Sequence, residues 1–472
     1  MYLIRSGTVV TAEKSIDADV LVEGEKVVKI GKNLSFTDAK TIDASGKFIL
    51  PGGIDPHTHF DLPMFDTVSS DDHYTGHKAA AFGGTTTVMD FIPQPDEGKL
   101  ADGVAEWRGK ADPKAAIDFG FHMNITRLDE EIEKEIPKLL EHGIPTLKVF
   151  TAYNGKLRLE DDEIFRVLKI AKEHNMLTMV HAENGDVIEE LVAEFLADGK
   201  TDPIWHARSR PGWLAVEAVL RMAALAAEAK ASLYVVHMNT AGGVEMLNYA
   251  RQQGVRVMGE TCPQYLFFNE EHLSRPDGAK WICSPPMRTK TDNTRLWKAL
   301  IENEFQVLGT DHCPFFYDGT TEIDYEGSPI AIPGKELGKD DFTKIPNGLP
   351  AVQDRLLILW TRAVSTGEMT PNQFVALTST NAAKIFGLYP QKGTIAEGSD
   401  ADLVIWDPEK KIKYGVAQSH HRTDYNLFEG WELIGYPEKV FLRGNLIVDG
   451  EEWHGKAGLG KFLHRVPNGE FI

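Results

Sequence analysis

Six residues of metal-binding or metal-bridging type recur at the ends of short β-branched or apolar runs. His57 and His59 stand in GGIDPHTHFD, Lys148 in TLKVFTA, His181 in LTMVHAE, His237 in SLYVVHMN and Asp311 in FQVLGTDH. A lone histidine in an apolar strand is more often a packed, hydrogen-bonded core residue, the reading given to His73, His77, His122, His206 and His420. Asp311 alone reads equally as a helix N-cap. Agreement among five predicted strand ends changes the weighting, because neutral imidazole nitrogen and carboxylate oxygen together suit zinc-like divalent ions. His57 and His59, two apart on a strand end, project to one side.

Lys148 needs its own account, since an ammonium cannot coordinate a cation. Two divalent ions bring four positive charges, against which neutral histidines and one aspartate set a single negative charge. A bridging anion is therefore expected. Carbon dioxide added to a neutral Lys148 amine gives a carbamate able to span two ions, while a snorkelling or salt-bridged lysine is the structural alternative.

Elements that bring such residues together are visible in the sequence texture. Eight runs read as strands: 48–55, 85–91, 116–125, 146–152, 177–183, 232–239, 255–262 and 305–312. Between them, EIEKEIPKLLEHG and EIFRVLKIAKEHN place apolar residues at helical spacing. Alternation of this kind predicts an α/β fold, a (β/α)8 TIM barrel over 53–384 whose strand ends converge on one C-terminal mouth. Residues 1–52 and 385–472 are strand-rich and turn-rich, and predict a smaller β-sandwich domain built from both chain ends, with a C-terminal extension.

With 472 residues and a net charge of -20, the chain is a folded globular protein that repels polyanions, which excludes nucleic acid and anionic membrane surfaces as partners. Its three cysteines, Cys262, Cys283 and Cys313, make no disulfide framework. With no leader-like or membrane-spanning stretch in the sequence, a cytoplasmic location is expected.

The ordered set GGIDPHTHFD, FGGTTTVMDF, TLKVFTAYNG, VHAENGD, VVHMNT, GETCPQYL, CSPPMR, GTDHCPF and KIPNGLP resembles the D-hydantoinase and dihydropyrimidinase branch of the amidohydrolase superfamily over nearly the whole chain. That resemblance implies a metal-dependent cyclic amidohydrolase that opens hydantoin and dihydropyrimidine rings by hydroxide attack at a binuclear centre, giving N-carbamoyl amino acids. It implies two divalent ions per chain, zinc by analogy, with His57, His59 and Asp311 on one, His181 and His237 on the other, and N6-carboxylated Lys148 between them. Tyr153 resembles the oxyanion-stabilising hydroxyl, Asp311 the proton carrier, and Ser284 and Asn347 the positions whose backbone holds the cyclic amide. Leu62, Met64 and Phe65 after His59, and Phe150 and Leu157 around Tyr153, are candidates for a hydrophobic lid over the exocyclic group. A small cyclic ureide is the implied partner, with a homotetramer as the implied assembly.

Segment 317–334 reads as longer than that family's pattern, which bears on the rim of the mouth. Dihydroorotase in its familiar form carries an arginine where this chain has Asp61, so a site without a nearby cation is expected there. Allantoinase-like activity, or a non-catalytic dihydropyrimidinase-related protein, are the alternative readings. The last lacks the ligand set present here.

Overall fold

The computed structural model describes residues 1–467. Eight parallel strands follow chain order around one sheet: Gly53–Thr58, Thr85–Ile92, Asp118–Asn124, Thr146–Phe150, Leu177–His181, Leu233–Val235, Val257–Thr261 and Val307–Leu308. A parallel bridge between Thr58 and His312 joins the first strand to the segment after the eighth and closes the barrel. Period-two alternation sorts the side chains. Met89 and Phe91 turn into the barrel with Leu177, Met179, Tyr234 and Met258, while Val88, Ile92 and Val180 pack outward with the helices. Burial on both faces is why these runs read as continuously apolar instead of alternating.

The helix at Asp161–Glu173 shows how the outer layer follows from sequence. Ile164, Val167, Leu168 and Ala171 are its buried residues, at i, i+3, i+4 and i+7, and the Glu160 and Glu163 side chains close a capping box at its start. The segment EIEKEIPKLLEHG does not continue as one α-helix. It is helical over Glu130–Glu135 and then tightens to a 3-10 turn over Ile136–His142, because Pro137 removes a backbone donor.

The smaller sheet has nine strands drawn from both chain ends. Phe48–Pro51 pairs antiparallel with Leu403–Lys413, which joins the two halves. The sheet curls around its own core of Ile4, Val20, Val27, Ile49, Leu403, Ile405 and Phe441, and Val27 N–H donates to Ser399 O (3.0 Å) where the curl closes.

The run expected as one strand over 48–55 is two. Phe48–Pro51 belongs to the small sheet and Gly53–Thr58 to the barrel. The chain changes sheets at Gly52, where a Cβ would stand 2.0 Å from Thr86 Oγ1, so only glycine passes this close to the second barrel strand. The sixth and eighth strands are also shorter than the expected runs, so His237 and Asp311 lie beyond regular structure.

A buried charge cluster ties the two sheets together. Lys392 donates to Asp118 at the start of the third barrel strand (2.7 Å), contacts Asp400 (3.2 Å), and hydrogen-bonds Asp402 on the small-sheet side. Arg443 bonds the other oxygen of Asp118, and Lys461 N–H donates to it at 2.8 Å. Burial alone would lower the Lys392 pKa, but Asp402, Asp118 and Asp400 outweigh it and raise it. From this junction the C-terminal segment runs under the barrel, with Leu463 N–H on Phe119 O (2.7 Å) and the Leu463 side chain in the interior core.

Lys392→Met leaves three buried carboxylates short of their shared cation and is expected to cost about 3–5 kcal/mol. Urea unfolding of both proteins measures this, and a loss below about 1 kcal/mol would show the cluster to be energetically idle.

Candidate active site

The six residues singled out by type and spacing meet at the C-terminal mouth. His57 is in the first strand, His59 just past it, Lys148 in the fourth, and His181 ends the fifth. His237 and Asp311 follow the sixth and eighth strands in left-handed backbone, with φ of 39° and 55°. Tyr153, after the fourth strand, shares that conformation with φ 69°. Non-glycine residues held there carry strain of about 1–3 kcal/mol, a cost that clusters where side-chain placement matters.

Asp311 Oδ1 lies 3.1 Å from His57 Nε2 and 3.2 Å from His59 Nε2. His181 Nδ1 and His237 Nε2 are 3.0 Å apart. Ligand atoms of His57, His237 and Asp311 all fall within 4.8 Å of one another, so the two pairs form one centre. Lys148 Nζ stands 4.7 Å from the Phe91 ring and 5.4 Å from that of Phe150.

A second layer fixes which nitrogen of the His57 and His181 rings faces inward. Glu260, at the end of the seventh strand, takes the Nδ1 proton of His57, receives the Tyr234 hydroxyl on its other oxygen (2.9 Å), and accepts from His237 N–H (3.2 Å). His181 Nε2–H donates to Glu183 (3.0 Å), whose other oxygen takes Arg288 (3.3 Å). Asp55 accepts from Thr310 (2.6 Å) and from His57 N–H (3.2 Å). The Glu260 bond to His57 and the Glu183 bond to His181 each set a tautomer and leave the inner nitrogen as the lone-pair donor. His57 Nε2 is buried and has no aligned hydrogen-bond partner.

Electrostatics set the groups of the pocket apart, favouring positive charge at His57 and the neutral form at His59, His237 and Lys148. Burial lowers the His57 pKa, yet Glu260 and Asp311 reverse this and raise it to about 9. A proton and a divalent ion compete for the same Nε2 there. Burial raises the Asp311 pKa, but His57 and His59 pull it well below the usual carboxylate range. Burial takes His59 down to about 4 and keeps His237 neutral. Burial also pulls Lys148 down to about 8, against Asp311 and Glu260, so its neutral amine is accessible near neutral pH. Four imidazoles, a carboxylate and an orphaned inward nitrogen fit a divalent-metal centre.

Facing these groups is a polar cradle. Burial and Glu183 raise the Tyr153 pKa while Arg210 and a hydrogen bond with Ser284 oppose the rise, so the hydroxyl keeps its proton to donate. Asn347 Nδ2–H donates to Ser284 Oγ (3.2 Å), which joins the two segments expected to hold a ring amide.

Of the lid residues, Phe150 stands beside the centre, its ring 6.1 Å from His181 and 6.2 Å from Tyr153. Leu157 is half-buried in the following turn, its N–H on Tyr153 O (3.0 Å). Leu62 packs partly against the main core and Phe65 sits at the tip of a two-stranded turn with φ 55°. Asp61, expected as an uncompensated charge, pairs with Lys114 at 3.0 Å, and that lysine also reaches Asp72 at 3.2 Å. The first-strand loop therefore carries a cation after all, supplied from 53 residues downstream.

Sequence reasoning missed Glu260, Glu183, Asp55 and Arg288. A carboxylate inside the apolar run VMGET was a visible signal for Glu260; the others differ in no way from ordinary loop or strand-end charges.

Comparison with known proteins covers the whole molecule. The Amidohydrolase family profile matches residues 48–447. A D-hydantoinase from Geobacillus stearothermophilus is 45% identical over 473 residues, spanning 100% of this chain and 98% of the relative. A D-phenylhydantoinase from Escherichia coli is 39% identical, with 98% of each chain covered. The crystal structure of a dihydropyrimidinase from Brevibacillus agri superimposes with a TM-score of 0.94 at 46% identity, covering 99% of both chains. The chain therefore belongs to the amidohydrolase family, and within it to the cyclic amide hydrolases of the D-hydantoinase and dihydropyrimidinase group.

Proposed function

We propose that this chain opens the rings of hydantoins and dihydropyrimidines by hydrolysing one cyclic amide bond at a centre of two divalent ions, giving N-carbamoyl amino acids. The observation that carries this reading is the convergence of four inward imidazole nitrogens and Asp311 opposite the Tyr153–Ser284–Asn347 cradle. His57, His59 and Asp311 would hold one ion, and His181 and His237 the other. Lys148, carboxylated on Nζ, would bridge them: a neutral amine attacks carbon dioxide, the N–C bond forms, and one N–H proton leaves to solvent. Zinc suits this donor set.

When bound, the two ions lower the pKa of water and polarise the ring carbonyl. The chain does the rest. Backbone groups of Ser284 and Asn347 orient the ring, and the Tyr153 hydroxyl donates to the carbonyl oxygen as negative charge builds there. Asp311, held ionised by His57 and His59, accepts the proton of the attacking water and returns it to the ring nitrogen as the C–N bond breaks. Phe150, with Leu62, Phe65 and Leu157 from the flanking loops, covers an apolar exocyclic group.

A homotetramer is part of the proposal. On the helix Gly212–Ala229 Trp213 is 80% and Leu220 40% exposed, and Tyr249 on the next helix is 50% exposed, apolar groups that contact with a second copy would cover. A cytoplasmic setting is also proposed, in keeping with Cys262, Cys283 and Cys313 being buried free thiols.

Side-by-side rates on dihydrouracil, hydantoin, 5-substituted hydantoins, allantoin and dihydroorotate test the assignment. Arg288 is paired with Glu183, and Lys114 with Asp61 and Asp72, so a ring carboxylate would have to displace carboxylates already held by these cations. Neutral rings are expected to react with kcat/KM at least about a hundredfold above dihydroorotate. Equal efficiency on dihydroorotate, or a preference for allantoin, would overturn the substrate class.

Lys148→Ala removes the bridge and is expected to abolish most turnover, with partial recovery when a short carboxylic acid is added. Full activity in the unsupplemented variant would make Lys148 a packing residue.

A further inference from the structure

The segment carrying Ser284 is gripped carbonyl by carbonyl. Lys335 Nζ donates to Ile282 O (2.9 Å), His206 Nε2–H to Cys283 O (2.9 Å), the Tyr265 hydroxyl to Pro285 O (2.8 Å) and Asn239 Nδ2–H to Pro286 O (2.8 Å). Within 282–286 the Ser284 carbonyl is the one without a donor among the described residues, although its hydroxyl is held by Asn347. Within 281–288 Ser284 is also the only residue that is not buried, and among the described residues its backbone N–H and C=O have no hydrogen-bond partner.

The same pattern recurs across the cradle. Asn347 is the only partly exposed residue within 345–350, and among the described residues its backbone N–H and C=O are likewise unpartnered. Their neighbours' peptide groups are buried and held by the fold, so the open N–H and C=O of Ser284 and Asn347 are the ones on these two segments free to meet a ligand.

One side chain touches both segments. Lys335, 1% exposed, gives its second hydrogen bond to Pro346 O (2.9 Å), one residue before Asn347, while its first goes to Ile282 O, two residues before Ser284. Gly348 N–H also reaches Ile282 O (3.1 Å), so the lysine reinforces a direct link between the segments. Its own position is fixed from behind: Lys335 N–H donates to Phe316 O (2.7 Å), closing the neck of segment 317–334, and a Cβ at Gly334 would stand 2.0 Å from that same oxygen. The hairpin above the neck is tied down in turn, with the Thr67 hydroxyl on Pro333 O (2.5 Å).

We propose that Lys335 is a positioning residue that sets the separation of the open peptide groups of Ser284 and Asn347, and so the fit of the cyclic amide between them. This rests on the ring-opening reading above. It gives the segment after Phe316 a task within the site: its returning end supplies the Lys335 Nζ donor that clamps the cradle. Two hydrogen bonds from one rigidly anchored donor hold a spacing that a side chain without a donor would leave to the single Gly348 link.

Kinetics on the metal-loaded full chain test this. Lys335→Met is expected to raise KM for dihydrouracil and hydantoin about tenfold or more while kcat stays within about threefold, since the cradle holds substrate and transition state alike. Metal content should equal that of the wild type. Lys335→Gln, which keeps a donor, should fall between the two. Unchanged KM in Lys335→Met, or a fall in kcat at constant KM, overturns the inference while leaving the ring-opening reading intact. Failure of both variants to fold would assign Lys335 to stability and overturn it as well. Wild-type protein that opens neither ring removes the underlying reading, and the inference with it.

Discussion

A proton on the outer nitrogen of an imidazole decides what the inner nitrogen can do, and this active site depends on where those protons are held. Glu260 holds the one on His57 and Glu183 the one on His181. Neither carboxylate faces the centre directly, yet both are buried, so their charge acts through a medium that screens it little. With the outer protons fixed, lone pairs converge with Asp311 on a point where positive charge is favoured, as the raised His57 pKa records. Burying this much polarity is costly unless every group is satisfied. A bound cation completes the set.

The barrel provides what that arrangement needs because its strands bring distant residues into register. The outer oxygen network of Glu260 joins the first, sixth and seventh strands through His57, Tyr234 and its own backbone position. Shifting one strand by a residue would turn these side chains to the opposite face. The small sheet and the C-terminal segment brace the opposite end, where Lys392, Arg443 and Lys461 converge on Asp118. Rigidity at the base is thus coupled by eight strands to precision at the mouth.

Much of this was legible in the sequence. Eight β-rich runs at regular spacing predicted the barrel, and strand-end His57, His59, His181, His237 and Asp311 predicted where the donors meet, because chemistry at a barrel's C-terminal mouth follows from topology alone. Other features were illegible for definite reasons. The switch of sheets at Gly52 is dictated by Thr86, a neighbour only in space. The loop at Asp61 read as lacking a cation because Lys114, the partner of Asp61, lies far along the chain. His206 read as a packed histidine; its ring is buried and bonded, and what it bonds is the carbonyl next to Ser284. Lys335 stands in the polar run KELGK, where nothing local says that its side chain is buried and bonded to both cradle segments. Strand ends announce ligands, whereas the groups that hold ligands in place are found only through the fold.

Divalent ions at the barrel mouth are the central claim, and elemental analysis of freshly purified protein never exposed to chelator tests it most directly. The account predicts about two divalent ions per chain, since the ligand count supports two sites with open positions. Protein that opens cyclic ureides at its full rate while holding no divalent ion would contradict it.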